Sequence, residues 1–75
     1  MAKRKDRFLS AVGWRVRHLR EGKGWTQEVL AEKADLDRSY IAGIEAGIRN
    51  PSVKAVAKIA RGLGITLATL FETVA

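Results

Sequence analysis

Residues 26–45 read TQEVLAEKADLDRSYIAGIE and predict two short helices joined by a tight turn. Thr26 is a good N-cap for the first of them, because its hydroxyl can accept a bond from a free backbone N–H. The turn falls at Asp35-Leu36-Asp37. Asp35 is expected to take the left-handed conformation, which Asp tolerates better than most residues, and Asp37 is expected to cap the following helix.

Helices are also predicted on both sides of this stretch, which makes the chain an all-α domain of five helices. The first begins at about Arg7 and ends at Gly22, the fourth runs from a cap at Ser52 to Gly64, and a short fifth follows a cap at Thr66. Residues 1–6 are expected to form a flexible basic arm, and residues 7–75 a single helix-turn-helix domain. The expected core faces comprise Phe8, Val12, Val16 and Leu19; Ile41 and Ile44; and Val53, Val56, Ala57, Ala60 and Leu63, with Ile59 at the margin. The fifth helix carries Leu67, Leu70, Phe71 and Val74, which a core of this size cannot easily hide together.

The composition bounds the class of protein. The chain has 75 residues, enough for one small core, and its formal net charge of +6 suits a polyanionic partner. Membrane-surface and ribosome-associated proteins share such a charge, so charge alone does not single out DNA. The longest apolar run, Leu63–Phe71, is far shorter than the ~20 residues that a membrane span needs, so no membrane partner is expected.

Catalytic and metal-binding motifs are missing from the sequence. His18 is the only histidine and there is no cysteine, so no nucleophile–histidine–acid set or metal-ligand cluster is available. Gly22-Lys23-Gly24 lacks the strand and the spacing of a phosphate-binding loop. The sequence therefore predicts a protein that is not an enzyme and has no cofactor.

The third helix carries the polar residues that favour DNA binding. Arg38, Ser39, Ala42 and Gly43 are expected on its outer face, and a short polar helix start of this kind can reach base edges in a major groove. An arginine fork can bond guanine O6 and N7. A glycine inside a helix costs about 1 kcal/mol relative to alanine, which close approach either to DNA or to a crossing helix could justify.

Gly24 to Phe71 resembles the Xre family, the Cro and phage-repressor type of helix-turn-helix domain. The resemblance rests on Thr26-Gln27, Leu30-Ala31, Tyr40-Ile41, Ile44-Glu45 and Arg49-Asn50-Pro51-Ser52. Residues 36–41 and 43–45 are further similar to the controller proteins of restriction–modification systems. The family implies a phage-repressor-like domain whose second and third helices form the helix-turn-helix. It also implies a transcriptional regulator that binds a palindromic operator in double-stranded DNA as a homodimer.

The resemblance also implies roles for single residues. The base contacts would be Arg38, Ser39, Ala42 and Gly43. The DNA-backbone contacts would be Gln27, Tyr40, Arg49, Asn50 and Lys54. The dimer interface would be Leu67, Leu70, Phe71 and Val74, and Arg20 and Glu45 would form a structural ion pair.

Several alternatives stay open at this point. Tyr40 either sends its hydroxyl to a phosphate or serves only as packing, and the arm residues Lys3, Arg4, Lys5 and Arg7 are either solvated or in contact with DNA. Trp14, on the polar side of the first helix, has no assigned role. An antitoxin or adaptor module can use the same fold. RNA polymerase as a second partner, activation against repression and the operator sequence are left undecided, and a cytoplasmic, nucleoid-associated location in a prokaryote or phage is expected.

Overall fold

The computed structural model describes residues 6–74, which form five helices and, within that range, no strand. The helices are α1 (Arg7–Gly22), α2 (Gln27–Ala34), α3 (Arg38–Glu45), α4 (Val53–Leu63) and α5 (Leu67–Leu70). The predicted all-α fold is confirmed. Residues 1–5 of the predicted arm, among them Lys3, Arg4 and Lys5, lie outside the described residues. No helix among the residues described has the length and apolarity that crossing a membrane requires.

Polar side chains cap four of the five helices. As predicted, Thr26, Ser52 and Thr66 accept hydrogen bonds from backbone N–H groups in the first turns of α2, α4 and α5. Asp6, which the sequence pattern assigns to the flexible arm, is instead the N-cap of α1, and its carboxylate accepts from the N–H groups of Phe8 and Leu9 at 2.8 and 3.0 Å. Asp37 holds the predicted N-cap position of α3, but among the described residues its side chain accepts no capping bond.

The turn between α2 and α3 has the predicted geometry. Asp35 has φ 56° and ψ 51°, and it is the only non-glycine residue among residues 6–74 with a positive φ. The N–H of Leu36 donates to the carbonyl of Ala31 at 2.9 Å, which closes the end of α2. Leu36 and Trp25 are both partly buried against the core. The left-handed residue thus turns the chain sharply, so that α3 starts against α2.

The core lies between α1, α2, α3 and α4 and is closed by α5. Its most completely buried large side chains are Val16, Leu30, Ile41, Ile44, Ile59, Leu63 and Leu70. On α4 the buried stripe is Ala55, Val56, Ile59, Ala60 and Leu63, which follows the i, i+3, i+4 spacing of a helix face.

Four expectations about the core are wrong. Val53 is 81% exposed and Phe8 is 53% exposed, because each lies in the first turn of its helix, beyond the edge of the packed layer. Ala57 is exposed, since it follows Val56 by one residue and therefore lies about 100° further around the helix, away from the buried stripe. Ile59, placed at the margin by the sequence, is 1% exposed and central to the core.

Candidate nucleic-acid interface

Close packing against α1 fixes the position of α3. A Cβ built on Gly13 would lie 2.2 Å from the carbonyl oxygen of Ile44 and 2.7 Å from that of Glu45, so only glycine lets α1 approach the backbone of α3 this closely. Ile41 and Ile44 are 0% and 1% exposed. The inner side of α3 is therefore packed along its length, and the first turn of the helix is left at the surface.

Arg38 and Ser39 are exposed at the start of α3, as predicted. The side chain of Arg38 is 54% exposed, and its Nε lies 3.9 Å from a carboxylate oxygen of Glu28 in the first turn of α2. An exposed pair at this distance contributes little to stability, so it leaves the guanidinium free to exchange its partner for a base. Ala42 is half-buried one turn further along.

The predicted position of Gly43 on the outer face is wrong. Gly43 is buried, and the atoms that cover it belong to Arg49 of the loop after α3. The guanidinium carbon of Arg49 lies 5.4 Å from the centre of the Tyr40 ring, within the range of a cation–π contact. The space over Gly43 is filled by the stem of the Arg49 side chain.

Tyr40 has a packing role and a polar role at once. Its ring is partly buried against the core, and its hydroxyl oxygen accepts a hydrogen bond from the backbone N–H of Ser52 at 3.2 Å. This bond ties α3 to the cap of α4. A phenol that accepts one bond still has its own proton to donate, so the hydroxyl can also serve an anion.

The predicted Arg20–Glu45 pair is present, and Arg20 also bonds the backbone of Trp25. Arg20 donates from Nε and Nη2 to the two carboxylate oxygens of Glu45 at 2.7 and 3.0 Å, and from Nη1 to the carbonyl of Trp25 at 2.6 Å. The side chains of Arg20 and Glu45 are 10% and 3% exposed. Hydrogen bonding to Glu45 raises the pKa of Arg20 against the opposing effect of burial.

Gln27 is drawn into the same network. Its amide nitrogen donates to Oε1 of Glu45 at 3.1 Å, which orients the amide at the N-terminus of α2. Backbone N–H groups at a helix N-terminus favour an anion. The second N–H of the Gln27 amide and the free backbone N–H groups of the first turn of α2 are therefore hydrogen-bond donors at the same helix end. Asn50 and Lys54 are exposed on the loop after α3 and the first turn of α4.

An apolar groove lies beside these residues, and its lining differs from the predicted interface. Leu70 is 1% exposed inside its own core, so its expected role in a dimer interface is wrong. Phe71 and Val74 are half-buried, while Leu67 is 41% exposed. The groove brings Leu67 and Phe71 together with Phe8 of α1 and Val53 of α4.

Sequence reasoning missed Arg15 as the residue that holds α5 in place. Its Nε and Nη2 donate to the carbonyls of Leu70 and Thr69 at 3.1 and 2.8 Å. An arginine that bonds carbonyls of another helix leaves no local pattern in the sequence. Trp14, the neighbouring residue, is 58% exposed and stacks on His18 with 4.8 Å between ring centres.

Comparisons with known proteins place the chain in a family. The helix-turn-helix family model matches residues 16–70. Control protein C.MunI from Mycoplasma sp is 44% identical over 63 residues, which cover 83% of this chain and 85% of that protein. The immunity repressor protein of Bacillus phage phi105 is 42% identical over 59 residues, which are 79% of this chain and 41% of the repressor. The chain thus spans less than half of the phage protein but most of the control protein.

Solved structures agree with this assignment. A single-residue mutant of the restriction–modification controller protein C.Esp1396I matches with a TM-score of 0.88 at 38% identity, over 95% of this chain and 90% of that one. C.Esp1396I bound to a 19 base pair DNA duplex matches with a TM-score of 0.82 at 42% identity, over 89% of each chain. This protein therefore belongs to the Xre-type helix-turn-helix family.

Proposed function

We propose that this protein is a sequence-specific transcriptional regulator that binds a short palindromic operator in double-stranded DNA as a homodimer. The observation that carries the proposal is the division of α3 into a packed inner side and an exposed first turn with Arg38 and Ser39. A helix held in this way can insert its N-terminal end into a major groove without rearranging the core. Arg38 then reads guanine, and Ser39 and Ala42 contact neighbouring bases.

The proposed contacts to the DNA backbone surround this helix end. Gln27 and the N-terminus of α2 supply donors for one phosphate. Arg49, Asn50 and Lys54 supply exposed polar groups after α3, and Tyr40 has a hydroxyl proton to donate. Contacts of this kind fix the register of a protein on the duplex and carry no sequence information themselves.

The apolar groove supports the homodimer. Phe8, Val53 and Leu67 are 53%, 81% and 41% exposed, and they meet at one place together with the half-buried Phe71. Large exposed apolar side chains that cluster mark an interaction surface more often than scattered ones do. In the proposed dimer, a two-fold axis through the groove buries the same patch on both subunits. Dimers of helix-turn-helix proteins bind half-sites about one helical turn of DNA, roughly 34 Å, apart.

The relatives favour one class of regulator. Control protein C.MunI and the C.Esp1396I controller match most of this chain, and each is matched over most of its own length. We therefore propose that the protein is a restriction–modification controller, with an operator near its own gene and beside a restriction gene. RNA polymerase is the second partner that we propose for an activating role, in the nucleoid of the host cell.

Selection of bound sequences from a random duplex pool tests this function. The parent should yield a two-fold symmetric consensus, and Arg38→Ala should lose a guanine preference in each half-site, at a cost of about 1–3 kcal/mol. Lys54→Ala is the matched control, because loss of a phosphate contact should weaken binding to all sequences alike and leave the consensus unchanged. Binding without any consensus, abolished by moderate salt, would show that the positive charge acts non-specifically.

A further inference from the structure

The glycine in the middle of α3 is an unfavourable choice for a helix. Gly43 is the sixth of the eight residues of α3 and lies between Ala42 and Ile44. Glycine is the poorest helix former after proline, and alanine is the best. A glycine at this position therefore indicates that the space in which a Cβ would lie is needed for something else.

The side chain of Arg49 occupies that space. A Cβ built on Gly43 would lie 2.4 Å from Cγ of Arg49, 3.3 Å from its Cβ and 3.6 Å from its Cδ. Gly13 differs, because a Cβ there would meet the carbonyl oxygens of Ile44 and Glu45. Gly13 thus serves the packing of two helices, whereas Gly43 makes room for the stem of a surface side chain.

Arg49 is held at three points along its length. Its backbone N–H donates to the carbonyl of Gly43 at 3.1 Å, its stem crosses Gly43, and its guanidinium lies over the ring of Tyr40 at 5.4 Å. Tyr40 is itself fixed by the bond from the N–H of Ser52. An unrestrained arginine loses much rotamer freedom when it binds, so an arginine already held across α3 loses less.

We infer that Gly43 is a positioning residue, whose missing side chain lets Arg49 lie across the recognition helix in the conformation that meets DNA. This inference rests on the proposed contact of Arg49 with the DNA backbone. Any side chain at position 43 displaces the arginine stem. Because the nearest atoms belong to an exposed side chain and not to backbone, the Arg49 side chain is the group that moves, and its position over α3 is lost.

Four variants test the inference: Gly43→Ala, Arg49→Ala, the double variant, and Gly22→Ala as the matched control. Gly22 is also in a helix, but a Cβ there meets nothing within 4 Å, so the control adds helix propensity without displacing anything. Melting temperature comes first, and Gly43→Ala should melt close to the parent, because the gain in helix propensity offsets the displacement of Arg49. Nuclear magnetic resonance of the free proteins then reports whether the Arg49 side-chain protons keep the shift that the Tyr40 ring imposes.

Binding to the selected operator is the second readout. Arg49→Ala should weaken binding about tenfold or more per protomer, as expected for the loss of a charged hydrogen bond, and should reduce the dependence on salt. Gly43→Ala should produce a similar loss in the parent and almost none when Arg49 is already alanine. Gly22→Ala should bind like the parent.

Each outcome decides one question. Arg49 protons that lose the shift imposed by the Tyr40 ring in Gly43→Ala, together with an affinity reduced only in the presence of Arg49, support the inference. An equal loss of affinity with and without Arg49, a markedly lower melting temperature, or unchanged Arg49 shifts overturn it. If Arg49→Ala binds with full affinity, only the proposed contact of Arg49 with the DNA backbone is refuted. If the parent shows no specific binding, the proposed function is refuted. In both of these cases the resonance shifts still decide whether Gly43 positions Arg49.

Discussion

Replacement of Glu45 by alanine is expected to destabilise the fold more than any substitution on the DNA-facing surface. The carboxylate accepts three hydrogen bonds, at 2.7 and 3.0 Å from Arg20 and at 3.1 Å from Gln27. Its removal leaves a guanidinium whose side chain is 10% exposed with the carbonyl of Trp25 as its remaining close partner. Loss of one member of a buried pair costs about 3–5 kcal/mol, because the other charge stays buried without compensation.

The lower end of that range applies here. Glu21, whose side chain is 54% exposed, already has an oxygen 3.9 Å from Nη2 of Arg20 and can move closer to it. A loss of about 3 kcal/mol is a large part of the roughly 4–11 kcal/mol expected for a domain of this size at ~0.05–0.15 kcal/mol per residue. Since 1 kcal/mol shifts the melting temperature of such a domain by about 4–8 °C, Glu45→Ala should melt about 12–24 °C below the parent.

Thermal and urea unfolding, followed by circular dichroism, measure this loss. Glu28→Ala is the control, because its exposed pair with Arg38 at 3.9 Å should contribute less than about 1 kcal/mol. Repeating Glu45→Ala in an Arg20→Met background should show a much smaller loss, which assigns the effect to the pair. A melting temperature within about 4 °C of the parent, or the same loss in both backgrounds, would refute the reasoning.

The pKa of Arg20 also predicts how this stabilisation depends on pH. Hydrogen bonding to Glu45 raises the pKa of Arg20 above its ordinary value in the folded state. A raised pKa gives stability that is fully present below the unfolded pKa and is lost only as the pH rises through the folded one. Arg20 is therefore charged in both states between about pH 5 and 9, and its titration should not alter stability there.

Three further outcomes are expected. Gly13→Ala should lower the free energy of unfolding by at least about 1–3 kcal/mol in urea titrations, since its Cβ would collide with the α3 backbone at 2.2 Å; a neutral result would contradict the close crossing. Arg15→Met should increase amide hydrogen exchange in α5, because the carbonyls of two α5 residues lose their donor, and unchanged protection there would contradict this role. Val53→Glu should turn the proposed dimer into a monomer in sedimentation experiments without lowering the melting temperature of dilute protein, whereas Ile48→Glu, at another exposed apolar side chain, should leave the proposed dimer intact; a dimer in both variants would place the interface elsewhere.

Features that depend on local chemistry could be predicted from the sequence. The caps at Thr26 and Ser52 and the left-handed Asp35 follow from the bonding and backbone preferences of single residues. Ile41 and Ile44 follow from helical spacing, and both are buried. These features determine the helix-turn-helix, which is why the fold class and the surface position of Arg38 were predictable.

Features that depend on contacts between distant segments could not be predicted in this way. Val53 continues the spacing of the α4 stripe but lies beyond the packed layer, and Leu70 has the pattern of an interface residue but fills its own core. Gly43 was placed outside because nothing in the local pattern shows that Arg49 folds back over it. Asp6 is the exception, since an acidic residue just before a helical pattern is a capping signal that was available.

Different residues of α3 pack against the core and lie exposed at the surface, and this division bears on how such a protein can acquire new operator sequences. Arg38 and Ser39 are exposed, and the buried side of the helix is made by Ile41 and Ile44. If these two residues contact bases as proposed, substitutions there change the preferred bases while the free energy of folding stays nearly constant. Duplicated copies of the gene could diverge one exposed residue at a time, each remaining folded at every step, until two regulators ignore each other's operators.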